Sequence, residues 1–195
     1  MILLIVESPA KAKTINKYLG SGYKVLASMG HVRDLPAKSG SIKPEKDFEM
    51  VWKTNSGRSK TINDIKKEIQ NSEKIILATD PDREGEAISW HLEELFKSKN
   101  DKKFERVVFN AVTKDTVLNA IKNPRSIDKD LVEAYKARLS LDYLIGFTIS
   151  PILWKKLPGA KSAGRVQSVA LKIICQRELD GENFRCNDHG NSYSS

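Results

Sequence analysis

The sequence has little cysteine or histidine, and it contains no long apolar run. Two cysteines, Cys175 and Cys186, cannot build a disulfide framework, and together with three histidines they leave no structural zinc pattern. The apolar run Met1–Val6 lacks the basic region of a signal peptide, and no segment approaches the roughly 18 apolar residues of a membrane span. These absences exclude disulfide-rich secreted proteins and membrane proteins. They predict a cytoplasmic protein with no membrane partner.

The chain does have a core-forming composition and an excess of positive charge. Of its 195 residues 39% are hydrophobic, and 33 Lys and Arg against 25 Asp and Glu leave a net charge of +8. Six Lys and Arg against a single acid fall within residues 151–178. Clustered cations gain free energy by displacing counterions from phosphates, so a polyanion is a plausible partner for this region.

Two strand–turn–helix units predict a parallel sheet. Residues 2–6 form a continuous apolar run, typical of a strand buried on both faces. Ser8 then offers a capping oxygen for a helix over residues 10–19. The same order recurs with a strand at 75–78 and a helix at 87–96. The predicted class is α/β, a Rossmann-like parallel sheet flanked by helices.

Weaker patterns complete the first region, and the composition shifts after Pro124. Further strands are predicted at 23–28 and 106–109, helices at 61–69 and 114–121, and an exposed loop at 39–59. The region after Pro124 is predicted to be helical, with helices at 131–147 and 163–178. The expected organisation is a first domain over 1–125, the start of a helical domain over 126–178 and an irregular tail over 179–195.

Four carboxylates stand at alternate positions just after the second buried strand: Asp80, Asp82, Glu84 and Glu86. Ligand sites in open parallel sheets lie beyond the carboxyl ends of the strands, so Glu7 and this acidic turn can face one crevice. Oxygen ligands with few His or Cys nearby favour a hard cation, and Mg²⁺ suits a site shared with a phosphate.

Two other interpretations of the acidic turn exist. Its spacing fits the first positions of a calcium EF-hand loop, but position 12 carries His91 where that loop requires a bidentate Glu. The other alternative is a solvated acidic turn whose charges only favour the N-terminus of the following helix. The spacing alone leaves this second alternative open.

Five segments resemble bacterial type IA DNA topoisomerases, which are built on a Toprim domain. They occur in the family's order and cover residues 1 to about 178: Ile5–Thr14, Gly30–Pro36, Ala78–Glu86, Arg106–Asn110 and Ser162–Ser168. The resemblance implies relaxation of negatively supercoiled DNA by transient single-strand cleavage through a phosphotyrosyl link, with strand passage and resealing and no nucleotide cofactor.

The resemblance also implies roles for the acidic site. Glu7 would be the general acid and base at the leaving ribose oxygen, and Lys11 would hold or polarise the scissile phosphate. The Mg²⁺ ligands would be drawn from Glu7, Asp80, Asp82 and Glu84, with Glu84 the least expected contact.

DNA contacts carry over to a second set of positions. The aromatic rings of Phe147 and Trp154 suit unstacked bases, and the exposed N–H groups at the start of the helix near Ser162 suit a phosphate. The residues alone also allow simpler interpretations. His31 fits a structural histidine, and Arg138 with Asp142 fits an ordinary ion pair. Phe147 and Trp154 both fit core positions. The expected DNA-binding residues are His31, Arg138, Asp142, Phe147, Trp154, Ser162, Ala163, Gly164, Arg165, Val166 and Gln167.

The sequence departs from the family at three points. Leu139 replaces a second Arg, the family pattern is expected to stop after Glu178, and the motif of the nucleophilic tyrosine is missing. A catalytically incomplete, monomeric fragment is therefore expected, with single-stranded DNA and the absent C-terminal domains as partners. Alternatives are a non-catalytic Toprim module that binds single-stranded DNA in trans or as a regulator, and another Toprim enzyme that shares only the acidic turn.

Overall fold

The structure of the chain is a computed structural model that describes residues 1–97 and 102–188. It divides into two compact units, one over residues 1–138 and one from residue 139 onward. The strands are β1 Ile2–Val6, β2 Tyr23–Ala27, β3 Arg33–Asp34, β4 Ile42–Lys43, β5 Glu49–Met50, β6 Lys53–Thr54, β7 Lys74–Leu77 and β8 Phe104–Arg106. The helices are α1 Pro9–Tyr18, α2 Ser59–Asn71, α3 Arg83–Phe96, α4 Lys114–Lys122, α5 Lys129–Lys156 and α6 Arg165–Asp188.

The first unit is built on a four-stranded parallel sheet with the order β2-β1-β7-β8. β1 is a central strand, and its residue Ile5 lies opposite Leu26 on one side and Leu77 on the other. From β1 the chain passes first to β2 on one side and later to β7 on the other side. This reversal creates a crevice at the carboxyl ends of β1 and β7. The predicted parallel sheet flanked by helices is confirmed.

Alternate side chains of the central strands enter two hydrophobic clusters, one on each face of the sheet. Leu3 and Ile75 belong to the cluster that includes residues of α2 and α3. Leu4 and Ile76 belong to the cluster that includes residues of α1 and α4. All four side chains are fully buried, which explains why the strands read as continuous apolar runs rather than as alternating ones.

Capping side chains determine where the two helices beside the crevice begin. The side chain of Ser8 accepts a hydrogen bond from the backbone N–H of Lys11, and Pro9 occupies the first turn of α1. Asp82 caps α3 in the same way by accepting the N–H of Gly85 at 2.7 Å. Because of this cap α3 begins at Arg83, four residues before the predicted start, and part of the acidic turn is helical.

Several predicted segments differ from the structure. The strand predicted at 106–109 is β8, which ends at Arg106 and shares only that residue with the prediction. The predicted loop 39–59 contains short strands, with β3 paired to β6 and β4 paired to β5. α5 continues past residue 147 through Pro151, which removes one helical N–H without ending the helix. The irregular tail predicted from residue 179 is wrong over 179–188, where α6 continues, because one glycine at 181 costs a helix only about 1 kcal/mol. Residues 189–195 lie outside the described part.

The second unit comprises residues 139–156 of α5, a connecting segment and α6. The hydroxyl of Ser150 accepts the backbone N–H of Ala163 at 3.1 Å, and this bond ties the connecting segment to α5. α6 mixes polar and apolar residues without a single apolar face, and its large apolar side chains are exposed: Val166, Val169, Leu171, Ile173, Ile174, Leu179 and Phe184. Within residues 1–97 and 102–188 no helix is long and apolar enough to cross a bilayer.

Candidate active site of the first unit

Two carboxylates meet at the crevice between β1 and β7. Glu7 directly follows β1, and Asp80 follows β7 after two residues. Lys11 lies one turn into α1, and its ammonium forms ion pairs with both carboxylates. Because β1 and β7 are neighbours in the sheet, two acids 73 positions apart in the sequence converge on one cation.

The electrostatics of this group keep Lys11 charged. Burial lowers the pKa of Lys11, but its hydrogen bonds to Asp80 and Glu7 and their negative charges outweigh that effect and leave the pKa above its ordinary value. The Glu7 side chain is only 16% exposed. Its Oε2 atom is buried and has no hydrogen-bond partner among the described residues. A buried carboxylate oxygen without a partner has lost hydration, so it favours a ligand that supplies a proton or a positive charge.

The chemistry of this donor set fits a hard divalent cation. Two carboxylates already share one positive group, and one buried oxygen of Glu7 is still unsatisfied. In the part of the chain that the structure describes, no three His, Cys, Asp or Glu side chains come together as a ready set of ligands. The site as built is therefore a pair of carboxylates around the Lys11 ammonium.

The other two acids predicted as metal ligands make other contacts. Asp82 caps α3 through its side chain. Glu84 approaches Nε2 of His31 at 3.3 Å and forms an ion pair with Arg138 on α5. The structure thus brings Glu7 and Asp80 together, and it places Asp82 and Glu84 at the N-terminus of α3 with partners of their own.

His31 lies beside the acidic turn. Its ring stacks on Tyr135 of α5 with centroids 5.3 Å apart and an interplanar angle of 16°. Burial first, and the nearby charge of Glu84 second, raise the pKa of Tyr135 to about 12, so this phenol stays protonated at neutral pH. Glu84, His31, Tyr135 and Arg138 therefore form one chain of side-chain contacts within the first unit.

An aromatic cluster around the buried His91, which the sequence did not predict, lies next to His31. His91 is fully buried, and its Nδ1 accepts a hydrogen bond from Nε of Arg33 at 3.0 Å. The rings of Trp52 and Trp90 lie 4.5 and 4.6 Å from that of His91. Arg33 lies in the segment Gly30–Pro36, and His91 lies in the predicted helix 87–96. Neither residue type by itself indicated that the two side chains form a buried pair.

Backbone contacts hold the acidic turn closely against α3. A Cβ atom added at Gly85 would overlap the carbonyl oxygen of Asp80 and would lie 2.7 Å from its backbone nitrogen. The hydroxyl of Thr79 lies 2.8 Å from that of Ser89, and it also donates to the carbonyl of Gly85. Only glycine permits this close approach of α3 to the Asp80 backbone. The signal in the sequence was a single glycine, Gly85, among four acids.

The predicted DNA-binding residues of the second unit are distributed along α5 and the start of α6. Phe147 and Trp154 are 40% and 54% exposed, so neither is a core residue in the described structure. Trp154 donates its Nε1–H to the carbonyl of Lys161 at 2.8 Å, which fixes the ring orientation.

The predicted phosphate cradle differs in detail from the expectation. The helix expected from Ala163 begins at Arg165, so Ser162, Ala163 and Gly164 precede α6 and Val166 and Gln167 lie in its first turn. The reason is that Ala163 is bonded to Ser150 instead of starting the helix. Nε of Arg165 donates to Asp142 at 2.9 Å, so this guanidinium is oriented by α5. Asp142 and Arg138 lie one turn apart on α5.

Similarity to known proteins extends along nearly the whole chain. The Toprim domain family matches residues 2–112, and the DNA topoisomerase family matches residues 126–189. The chain is 59% identical to DNA topoisomerase 1 of Zymomonas mobilis, over 95% of this chain and 15% of that protein. It is 56% identical to DNA topoisomerase 1 of Rickettsia prowazekii, over 97% of this chain and 25% of that protein.

A solved structure is also similar. The full-length topoisomerase I from Thermotoga maritima superposes with a TM-score of 0.79 at 43% identity, covering 91% of this chain and 30% of that one. The chain thus spans only 15% and 25% of the two relatives' lengths. The expected departure from the family after Glu178 is wrong, since the family match continues to residue 189.

Proposed function

The chain belongs to the Toprim-containing bacterial DNA topoisomerases, and from this membership we propose that it supplies the Toprim and first DNA-binding parts of a type IA enzyme. Such an enzyme relaxes negatively supercoiled DNA by transient cleavage of one strand, with a phosphotyrosyl intermediate. The observation that carries the proposal is the convergence of Glu7 and Asp80 on Lys11 at the sheet edge.

The roles proposed for the site residues are those that the family resemblance implies, and the contacts of these residues support them. Cleavage takes a proton from the attacking hydroxyl and gives one to the leaving ribose oxygen; Glu7, whose buried Oε2 has no partner among the described residues, would carry a proton to that oxygen and take it back on resealing. The Lys11 ammonium turns from the carboxylates to the scissile phosphate and offsets its charge. Glu7 and Asp80 would hold Mg²⁺, with Asp82 and Glu84 as further candidates; when bound, this ion supplies electrostatic stabilisation at the phosphate.

Each unit carries its own proposed DNA contacts. In the first unit His31 and Arg138 border the acidic turn. In the second unit the exposed rings of Phe147 and Trp154 would stack on unpaired bases, and Arg165 with Asp142 would receive a phosphate near the start of α6. We therefore propose single-stranded DNA as the preferred partner, a monomeric state, and the cytoplasm as the location.

The nucleophile would come from elsewhere. None of the five tyrosines lies in the motif that surrounds the family's nucleophile, so the 195-residue polypeptide alone should not relax DNA. The exposed apolar side chains of α6 favour a second candidate, a non-catalytic module that binds single-stranded DNA and docks other topoisomerase domains in trans.

A plasmid-relaxation assay tests the proposal and separates the two candidates. The chain is assayed alone and with the remaining C-terminal portion of the Rickettsia prowazekii relative, each with Mg²⁺ and with EDTA. We expect relaxation only for the mixture with Mg²⁺, and we expect Glu7→Gln to abolish it. Glu45→Gln, at an exposed position remote in sequence from the site, serves as the control that keeps full activity. Relaxation by the chain alone would refute the proposal, and an inactive mixture that still binds single-stranded DNA would favour the module.

A further inference from the structure

Arg106 is the largest fully buried side chain in the first unit, and the proposed mechanism does not use it. It ends β8, the strand beside β7, so its side chain lies under the turn that carries Asp80. A buried guanidinium presents five N–H donors in a rigid fork and must find acceptors for them. The acceptors it finds indicate what it does.

Most of the acceptors are backbone carbonyls at the end of β7. Nη1 of Arg106 lies 2.8 Å from the carbonyl oxygen of Thr79 and 3.2 Å from that of Leu77, and Nη2 lies 2.7 Å from that of Asp80. Nη1 also donates to the carbonyl of Val107 at 2.6 Å. The guanidinium therefore holds successive peptide groups of the segment from which the Asp80 side chain projects.

Glu86 balances the charge of this group. Its carboxylate, fully buried, accepts from Nε of Arg106 at 3.1 Å and from both Nη atoms of Arg125 at 2.9 Å. It also accepts the backbone N–H of Asp128 at 2.7 Å. Arg125 contributes charge to the same network, but its side chain bonds Glu86 and the carbonyl of Ser126 rather than the turn. The two arginines therefore differ in one respect that can be tested.

We propose that Arg106 is a positioning residue, which sets the direction of the Asp80 carboxylate by holding the carbonyl oxygens of Thr79 and Asp80. Gly85 completes the arrangement, because its missing side chain lets α3 approach the Asp80 backbone closely. The inference rests on the proposed function only in taking Asp80 as a site residue. Glu86, the fourth acid of the turn, thereby has a structural role, because it neutralises the Arg106 guanidinium that orients Asp80.

Hydrogen exchange of the intact chain tests the inference without reference to activity. The variants are Arg106→Lys, which keeps the charge opposite Glu86 but cannot reach both carbonyls, and Arg125→Lys as the matched control. The measured quantity is the exchange rate of the Gly85 and Glu86 amides divided by that of Leu4 in β1, which removes any change in global stability. We expect this ratio to rise about tenfold or more in Arg106→Lys and to stay within about threefold of wild type in Arg125→Lys.

A second readout separates this inference from the proposed metal site. Mn²⁺ titration followed by electron paramagnetic resonance should show weaker binding in Arg106→Lys than in Arg125→Lys. A wild-type chain that binds no Mn²⁺ would remove the metal from the proposed function, and the exchange ratio would still decide the role of Arg106. An unchanged ratio in Arg106→Lys, or an equal rise in Arg125→Lys, would overturn the inference. If Arg106→Lys does not fold, scalar couplings across the hydrogen bonds from Arg106 to Thr79 and Asp80 in the wild-type chain decide: their presence supports it and their absence overturns it.

Discussion

Lowering the pH from 7 to 5 should destabilise this protein through one buried residue, His91. Its ring is fully buried, and Nδ1 accepts a hydrogen bond from Arg33, so the folded chain holds the neutral form with its proton on Nε2. Burial first, and then the charges of Arg33 and His31, lower the pKa of His91 from its ordinary value of 6.5 to about 2.

The sign and size of the effect follow from proton linkage. The unfolded chain binds a proton at this residue below pH 6.5, whereas the folded chain does not until about pH 2. The contribution is therefore intact above pH 6.5 and is lost progressively as the pH falls below it. Each pH unit in that window removes about 1.4 kcal/mol from the free energy of unfolding, so the loss between pH 7 and pH 5 is about 2 kcal/mol.

Urea denaturation of the wild type and of His91→Phe at pH 7 and pH 5 measures this loss. The variant loses the acceptor for Arg33, so its stability at pH 7 should be lower by about 1–3 kcal/mol. The informative quantity is the change between the two pH values, which should be about 2 kcal/mol smaller in the variant than in the wild type. Equal pH dependence in both proteins would show that His91 is protonated in the folded state and would refute the reasoning.

Three further predictions concern the acidic turn, the second unit and the salt dependence of DNA binding. Gly85→Ala should lower the free energy of unfolding by about 1–3 kcal/mol because its Cβ would overlap the Asp80 backbone, whereas Gly22→Ala, with nothing within 4 Å of its Cβ, serves as the control in the same urea titration. An equal effect of both substitutions would contradict the close approach. Trp154→Ala should weaken binding of single-stranded DNA about tenfold in a fluorescence titration. Leu157→Ala is the control and should not weaken it, because Leu157, which directly follows α5, is also exposed but has no aromatic ring. Wild-type affinity should fall as salt rises, and a salt-independent affinity would exclude phosphate contacts.

The sheet and the pairing of Glu7 with Asp80 were predictable because both depend on local patterns. A continuous apolar run followed by a capping residue and an amphipathic helix indicates a βα unit, and two such units bring their carboxyl ends to one sheet edge. The sequence could not show that Lys11 lies between the acids, because α1 carries three lysines and only the geometry of the first turn selects one.

The contacts of Asp82 and Glu84 were less predictable. An acid at the start of a helix has several competing partners, here the N–H of Gly85 for one and Arg138 for the other. Arg138 lies 54 residues beyond Glu84, and no local pattern connects them. The length of α6 was missed for a different reason: single Gly and scattered Asp and Asn lower helix propensity only slightly, and such a segment remains helical when its neighbours are.

The most direct test of the account is whether Glu7 and Asp80 form one divalent-cation site. Isothermal titration of the chain with Mn²⁺ should show binding in the wild type and in Asp115→Asn, an exposed acid on α4. Asp80→Asn and Glu7→Gln should each weaken that binding about tenfold or more, because each removes a carboxylate that faces the shared cation. Wild-type affinity in Asp80→Asn would contradict the account.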